Sequence, residues 1–316
     1  MAQKPFLSVV MPIHDGAEWI GATLDTVAAE PVAGVEFIVI DSSPDDVTAA
    51  IVESYAERLP LQLLRRPDLA PWQTKTDLGV ELASAESVCV LHQDDLWLPG
   101  RIEAVRRWIA QAPEAALHLA PSVYVDRRGE RMGPWQCPLP AEALLDRDLL
   151  LERLLVQNFV SVPAPVIRRS AWLDCGGMNQ ALWYTADWDI WLKLASATPV
   201  IYHNEFTTAF RIHGSSLTMT GSREPREFRA QMETVLDRYL GELPMSRRNA
   251  IERVARASID INVMLAAASG GNVRALASAT GNVLSLGPAG IGRYFRDSRL
   301  RERTVSRLRA RLAGAF

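Results

Sequence analysis

The N-terminal part of the chain alternates short apolar runs with longer amphipathic segments. The runs are rich in Val, Ile and Leu and are bounded by polar or turn residues, which is typical of buried strands. They are Leu7–Met11, Val35–Ile40, Leu61–Leu64 and Val88–Leu91. The segments that follow them predict the helices Glu18–Ala29, Asp45–Arg58, Thr74–Ala85 and Arg101–Gln111, the second with Ser43 as its N-cap. This alternation predicts an α/β fold, in which a mostly parallel sheet is flanked by helices on both faces.

The C-terminal part differs in character. Residues 221–316 show no strand pattern and predict the helices Glu227–Leu240, Arg247–Ala268, Val273–Leu284 and Ser298–Leu312, with a helical hairpin turning at Ser269–Asn272. In the N-terminal part, Asp126–Gly129 indicates a β-hairpin and Pro134–Pro140 a loop. We therefore expect an α/β domain over residues 1–220 and an all-helical region over residues 221–316.

Composition argues against several classes of protein. A formal net charge of -3 argues against bulk nucleic-acid binding. The three cysteines lie far apart in sequence, so neither a disulfide framework nor a zinc site is indicated, and a reducing cytoplasm is the expected location. No apolar run approaches the length of a membrane span, and the apolar N-terminal stretch is too short for a signal peptide.

Two adjacent carboxylates, Asp94 and Asp95, follow the predicted strand Val88–Leu91 in the tetrapeptide His92–Asp95. Ligand crevices of open α/β sheets lie at the carboxyl ends of the strands, where Mg²⁺ or Mn²⁺ can be held by carboxylates and substrate phosphates. The alternative is that these acids only cap the helix that begins near Arg101. The tetrapeptide alone favours neither interpretation.

Further candidate residues stand at other strand and helix ends. Pro12–Gly16 and Asp41–Ser43 each follow a strand, where they could contact a nucleotide or merely form a loop and a helix cap. The pair Gly176–Gly177 would let a backbone approach a ligand closely. Asp187 starts a helix beside aromatic residues, either to complement the helix dipole or to accept a proton. His213 could join the carboxylates around a divalent ion, although a lone histidine is more often structural.

In this order and spacing, the clusters resemble the family 2 glycosyltransferases of the GT-A fold, from Phe6 to Thr218. The chain departs from the family pattern at His92, where the first aspartate of the metal motif is usual, and at Ala186, where a glutamate commonly precedes the catalytic aspartate. The segments similar to the family motifs are Val9–Asp15, Val39–Ser43, Leu91–Asp95, Gly176–Gly177, Ala186–Asp187 and Arg211–His213.

The resemblance implies transfer of a sugar from a nucleotide sugar, a UDP-sugar or another nucleoside-diphosphate sugar, to an acceptor hydroxyl with inversion. It implies Asp187 as the general base and Mn²⁺ or Mg²⁺ as cofactor, held by Asp95 with Asp94 and His213. The acceptor would be a saccharide, lipid-linked or other glycoconjugate. Trp183 and Tyr184 are interpreted as acceptor-side platforms, with core packing as the alternative. The residues implied in nucleotide-sugar binding are Pro12, His14, Asp15, Asp41, Ser43, Lys75, Asp94, Gly176 and Gly177.

Arginines recur among apolar residues from Arg293 to Arg311, at the C-terminal end of the chain. The pattern suits a basic amphipathic helix on anionic lipid, which would place the protein peripherally on the inner face of a membrane. It suits equally a solvated helix with an apolar stripe that faces a partner. Both interpretations stay open, as does the oligomeric state.

Other functions are weighed against sugar transfer. A noncatalytic nucleotide-sugar-binding protein of the same fold is compatible with the motifs, given His92 and Ala186. A sugar-phosphate nucleotidyltransferase shares the sheet type, but the chain lacks a Gly-rich first loop followed by a basic residue. A dehydrogenase is disfavoured because no GxGxxG motif follows the first strand.

Overall fold

The computed structural model describes residues 4–216, 224–269 and 281–312. The strands in chain order are β1 Leu7–Ile13, β2 Val35–Asp41, β3 Leu61–Arg65, β4 Ser87–Val90, β5 Leu96–Trp97, β6 Leu117–Leu119, β7 Ser122–Val125, β8 Arg131–Trp135, β9 Val166–Arg168, β10 Val200–Tyr202 and β11 Thr208–Arg211. The helices are α1 Ile20–Ala28, α2 Val47–Glu53, α3 Trp72–Leu82, α4 Arg101–Gln111, α5 Arg147–Val156, α6 Arg169–Asp174, α7 Ala186–Ala197, α8 Pro225–Leu240, α9 Met245–Ser269, α10 Gly287–Ser298 and α11 Leu300–Leu312.

A seven-stranded sheet, in the order β10-β6-β9-β4-β1-β2-β3, forms the centre of the fold. All neighbours are parallel except β9, which is antiparallel to both β4 and β6. The predicted α/β fold with a mostly parallel sheet is therefore confirmed. Because β1, β2 and β4 are parallel, the segments that follow them emerge at one edge of the sheet.

A second sheet has the strand order β5-β11-β7-β8, and its strands are interleaved along the chain with those of the first sheet. Its strands β7 and β8 are antiparallel and flank the turn at Asp126–Gly129, which confirms the predicted hairpin. The predicted loop over Pro134–Pro140 is wrong at its start, because Pro134 lies in β8 and pairs with Val123 of β7. A proline is tolerated there because β8 is an edge strand.

The central strands are buried on both faces. In β1, Val10 packs in one apolar cluster while Val9 and Met11 pack in another, as the alternation of side chains along a strand requires. Helix α3 approaches β1 so closely that a Cβ on Gly79 would lie 2.3 Å from a methyl carbon of Val10. This glycine lets α3 sit directly on the sheet, next to the edge where the strands end.

The C-terminal helices contribute to the same core. Phe228 and Val235 of α8 and Ile251 of α9 belong to the apolar cluster that contains Val10. The division of the chain at residue 220 stays a prediction. No helix among the described residues is both long and apolar enough to cross a membrane.

The largest differences between the predicted and the observed helices are in α2 and in the region of α10 and α11. Helix α2 begins at Val47 rather than Asp45, and Ser43 does not cap it, because the Ser43 hydroxyl donates to Asp41 instead. The helix predicted over Ser298–Leu312 begins only at Leu300. Ser298 belongs to the separate helix α10, and Arg299, at φ +49, interrupts the helical conformation between α10 and α11. The predicted hairpin turn and most of the helix predicted to follow it lie outside the described residues.

Candidate functional site

An acidic cluster lies between β4 and β5, at the carboxyl edge of the large sheet. His92, Asp94 and Asp95 each bring one potential ligand atom to within 4.8 Å of the others. Asp95 is fully buried, and its Oδ1 accepts a hydrogen bond from the Arg211 backbone N–H at 3.1 Å. Within the described part of the chain, Oδ2 of Asp95 and Nε2 of His92 are buried without a hydrogen-bond partner. Burial and the neighbouring Asp94 raise the pKa of Asp95 well above its usual range, and the hydrogen bond from the Arg211 backbone and the charge of Arg211 offset only part of this rise.

His213, which follows β11, contacts the cluster through Asp94. Its Nε2 lies 2.8 Å from Oδ2 of Asp94, and its ring centroid lies 4.6 Å from that of Trp19. Burial acts to raise the pKa of Asp94, but the hydrogen bond with His213 and the charges of His92 and His213 outweigh it and lower the pKa. The structure therefore brings together the three predicted metal ligands, and adds His92 to them.

The loops after β1, β2 and β4 are bonded to one another. Gln93 clamps the first loop with both ends of its amide: Oε1 accepts from His14 N at 2.7 Å and Nε2 donates to His14 O at 2.9 Å. The backbone N–H of Asp15 donates to the Ser43 hydroxyl at 2.9 Å. The side chains of His14 and Asp15 are exposed. These two predicted nucleotide-binding residues thus face solvent beside the acidic cluster.

Other predicted nucleotide-binding residues are buried beneath these loops. Asp41 is fully buried, accepts from the Ser43 hydroxyl at 2.5 Å, and lies 3.3 Å from the Arg65 guanidinium. Lys75, on α3, donates to Ile13 O at 2.6 Å, and burial lowers its pKa to about 8. Pro12 is also buried, opposite Ile40 in the sheet. The polar groups of Asp41 and Lys75 bond to protein atoms of these loops, and contact of any of these residues with a nucleotide stays a prediction.

Asp187 lies in the first turn of α7 and is partly buried. Its Oδ1 accepts from Trp188 N at 2.8 Å, and its Oδ2 accepts from the Asn158 side-chain amide at 2.8 Å. Burial raises the pKa of Asp187 to about 6, although both hydrogen bonds act to lower it. The preceding Ala186 is fully buried in the apolar core, so a glutamate there would place a charge among apolar side chains. The carboxylate of Asp187 is thus ionised at neutral pH yet a stronger base than an ordinary aspartate.

The first turn of α3 contacts both the acidic cluster and the segment that leads into α7. The Trp72 ring meets the His92 ring edge-on, with centroids 5.1 Å apart, and its indole N–H donates to Trp183 O at 3.2 Å. The next residue, Gln73, donates to Leu182 O at 2.5 Å. The acidic cluster and the segment leading into α7 therefore contact the same helical turn.

Gly177 packs against protein, whereas a Cβ on Gly176 would meet open space. Both glycines have positive φ, and a Cβ on Gly177 would lie 2.6 Å from Oδ1 of Asp77. Asp77 also accepts hydrogen bonds from Met178 N at 3.0 Å and the Trp172 indole at 2.9 Å. The close approach that Gly177 permits is thus to α3, and contact of Gly176 or Gly177 with a nucleotide stays a prediction.

Trp183 and Tyr184 are partly buried against α8. The Trp183 indole donates to Glu227, and the Tyr184 ring meets the Phe228 ring edge-on at 4.7 Å. These contacts agree with the alternative of core packing, and the acceptor-side role stays a prediction.

Sequence reasoning missed Trp72, Gln93 and Asn158 as parts of the site. Gln93 could have been found from the sequence, because it lies between the candidate residues His92 and Asp94. Trp72 and Asn158 stand outside every motif, and only the folded chain brings them to His92 and Asp187.

The family model described as Glycosyl transferase family 2 matches residues 8–171. A Rickettsia typhi protein described as an uncharacterized glycosyltransferase is 21% identical over 239 residues, which cover 72% of this chain and 70% of that protein. An uncharacterized protein of Mycobacterium tuberculosis is 27% identical over 213 residues, which cover 63% of this chain and 65% of that protein.

Solved structures share the fold. Residues 1–349 of S. aureus TarS, in complex with UDP-GlcNAc, align with a TM-score of 0.57 and 17% identity over 84% of this chain and 83% of that chain. A longer TarS chain is covered over only 54% of its length. The mannosyltransferase PcManGT from Pyrobaculum calidifontis, in complex with GDP-Man and Mn²⁺, aligns with a TM-score of 0.57 and 17% identity over 98% of this chain and 88% of that chain.

Proposed function

Because the chain belongs to glycosyl transferase family 2, we propose that it transfers a sugar from a nucleoside-diphosphate sugar to an acceptor hydroxyl with inversion. Asp187 is the general base, and the acidic cluster around Asp95 holds a divalent cation beside the donor diphosphate. The observation that carries the proposal is the shared contact with α3, since Trp72 touches both His92 and the segment that leads to Asp187.

The residues of the cluster fit a divalent cation. The Oδ2 atom of Asp95 and the Nε2 atom of His92 are buried and unpaired among the described residues, so each can donate a lone pair to a metal ion without losing a hydrogen bond. Asp94 and Asp95 supply the oxygen ligands that hard cations take, while His92 and His213 add nitrogen. This mixed set favours Mn²⁺ over Mg²⁺, which demands oxygen and keeps its waters. A bound cation would neutralise charge that develops on the leaving diphosphate.

Asp187 has the properties of a general base. With a pKa of about 6 it is ionised at neutral pH, and it takes the proton of the acceptor hydroxyl as that oxygen attacks the anomeric carbon. The bond from the anomeric carbon to the diphosphate oxygen breaks as the new bond forms, and the nucleoside diphosphate leaves with the electron pair. A single displacement of this kind inverts the anomeric centre. A positioned base contributes about 10²–10⁴-fold to the rate.

The test starts from a panel of nucleotide sugars with and without Mn²⁺. UDP-GlcNAc and GDP-Man come first, because TarS and PcManGT were solved with them. A donor at about 100 times its Kd raises the free energy of unfolding by about 2.7 kcal/mol, which appears as a higher melting temperature. The proposal expects Mn²⁺-dependent stabilisation by one donor and release of its nucleoside diphosphate when an acceptor is added.

The same panel separates the enzyme from a noncatalytic binder. His92 and Ala186 are the residues that favour a binder, since both replace acids of the family pattern. A donor that stabilises the protein but is never consumed, with any saccharide or glycoconjugate acceptor or with water, would identify a binding protein. A chain that no donor stabilises would contradict both functions.

A further inference from the structure

Arg303, on α11, contacts Gln157, which precedes the Asn158 that is hydrogen-bonded to Asp187. Its guanidinium donates to Oε1 of Gln157 at 2.8 Å and to Oδ1 of Asn262 at 2.8 Å. Helix α11 is itself anchored on β8, where Arg309 donates to Met132 O at 2.9 Å. Arginines that the sequence pattern assigned to a lipid or partner surface thus make contacts inside the protein.

The guanidinium determines how two amides are oriented. Because arginine carries only donors, the oxygen atoms of Gln157 and Asn262 must face Arg303. The amide nitrogen of Asn262 then donates to Oε1 of Gln157 at 3.0 Å. With its oxygen held in this way, Gln157 directs its own nitrogen to the backbone carbonyl of Asn158, at 3.3 Å.

The side-chain amide of Asn158 is oriented toward the carboxylate of Asp187. Its Oδ1 accepts from the backbone N–H of Val160 at 3.1 Å, so its amide nitrogen must point the other way, toward Asp187. That nitrogen donates to Oδ2 of Asp187 at 2.8 Å and favours the ionised carboxylate. A continuous set of hydrogen bonds therefore runs from Arg303 through Gln157 and Asn158 to Asp187.

We infer that Arg303 is a positioning residue for sugar transfer, which holds Asn158 through Gln157 so that Asp187 stays aimed at the acceptor hydroxyl. This inference rests on the proposed role of Asp187 as general base. It gives the C-terminal helices a part in the reaction, which acts through Gln157 and Asn158. Small displacements matter here, since a shift of about 1 Å caused by a distant substitution can slow a reaction about 100-fold.

The test compares variants of the full chain at saturating donor and acceptor, with the donor chosen by the nucleotide-sugar panel. Arg303→Met removes the donors and is expected to lower kcat by about 10- to 100-fold while the donor Kd in Mn²⁺ stays at the wild-type value. Arg303→Lys restores a cationic donor and recovers part of kcat. Arg301→Met is the matched control, because Arg301 is an exposed arginine of the same helix, and it keeps wild-type kcat.

Gln157→Glu separates positioning from folding. The carboxylate still accepts from Arg303 and Asn262, so the melting temperature is maintained, but it cannot donate to the Asn158 carbonyl. We expect kcat to fall in this stably folded variant. If Arg303→Met fails to fold, the result for Gln157→Glu decides.

Wild-type kcat in Gln157→Glu, or in a folded Arg303→Met, overturns the inference, as does an equal fall of kcat in the control Arg301→Met. These results differ from a failure of the proposed function. That failure appears as full turnover in Asp187→Asn or as no turnover in the wild type. An inactive Asp187→Asn beside a fully active Gln157→Glu rejects the role of Arg303 alone.

Discussion

Replacing Asp187 by Asn separates the stability cost of a buried carboxylate from its use in catalysis. Burial raises the pKa of Asp187 from 3.8 to about 6, a shift that corresponds to roughly 3 kcal/mol. Because the folded state binds the proton more tightly than the unfolded chain, the ionised group destabilises the fold above the folded pKa. This penalty is relieved as the pH falls from about 6 towards 4.

Asparagine escapes this penalty but loses a hydrogen bond. With its oxygen on Trp188 N, its amide nitrogen would face the amide nitrogen of Asn158, and an unpaired buried donor costs about 1–3 kcal/mol. The two effects nearly cancel, so the free energy of unfolding of Asp187→Asn at neutral pH should change by less than about 2 kcal/mol. Denaturant unfolding measures this change.

Turnover of Asp187→Asn should fall by about 10²–10⁴-fold, while donor binds in Mn²⁺ as in the wild type. The assay is release of nucleoside diphosphate at saturating donor and acceptor, with the exposed Asp237→Asn as control. In the wild type this rate should halve near pH 6 and then fall about tenfold per pH unit below it, because protonated Asp187 cannot accept a proton. Wild-type turnover in Asp187→Asn, or loss of donor binding, would refute the reasoning.

The remaining predictions concern the cation and the glycine turn. Asp95→Ala should lose Mn²⁺-dependent donor binding, and calorimetry that finds unchanged nucleotide affinity in Mn²⁺ would remove Asp95 from the cation site. His92→Asp exchanges a nitrogen for an oxygen ligand, so titration with the metal alone should show a higher ratio of Mg²⁺ to Mn²⁺ affinity; an unchanged ratio means that His92 is not a ligand. Gly177→Ala brings Cβ to within 2.6 Å of the Asp77 carboxylate and should lower the free energy of unfolding by about 1–3 kcal/mol. Gly176→Ala, at a similar φ but with open space around it, should lose less, and equal losses would contradict the packing argument.

The strands of the parallel sheet could be predicted because each carries its own signal. Phe37–Ile40 is an uninterrupted apolar run whose side chains pack alternately into the two apolar clusters, and a strand covered by helices on both faces requires such a run. Helix α10 could not be predicted, since Gly287, Gly290 and Gly292 lower its intrinsic helix propensity. It is stabilised instead by tertiary contacts such as those of the buried Tyr294.

The capping of α2 shows a different limit. The Ser43 hydroxyl has two potential hydrogen-bond partners nearby in sequence, namely the first turn of the helix that follows it and Asp41 at the end of the preceding strand. Local sequence is compatible with both, and the structure shows the bond to Asp41. A short polar side chain bonds to whichever backbone or side-chain group tertiary packing presents.

The part of the site that lies in the loops after the parallel strands could be predicted. Asp94 and Asp95 lie in the loop that follows β4, and the ends of parallel strands meet at one edge of the sheet. Their approach to the loop after β1 could therefore be predicted without knowledge of the packing. Asn158 and Arg303 were not predictable, because their partners Asp187 and Gln157 lie 29 and 146 residues away in sequence. No periodicity or motif records such contacts.

The most direct test of the account is a crystal structure with Mn²⁺ and the donor selected by the nucleotide-sugar panel. The account predicts one anomalous manganese peak bonded to Asp95 and to the donor diphosphate. It also predicts that the anomeric carbon faces Asp187, with room for one acceptor oxygen about 3 Å from both the carbon and the carboxylate. Manganese bound away from Asp95, or an anomeric carbon that faces away from Asp187, would contradict it.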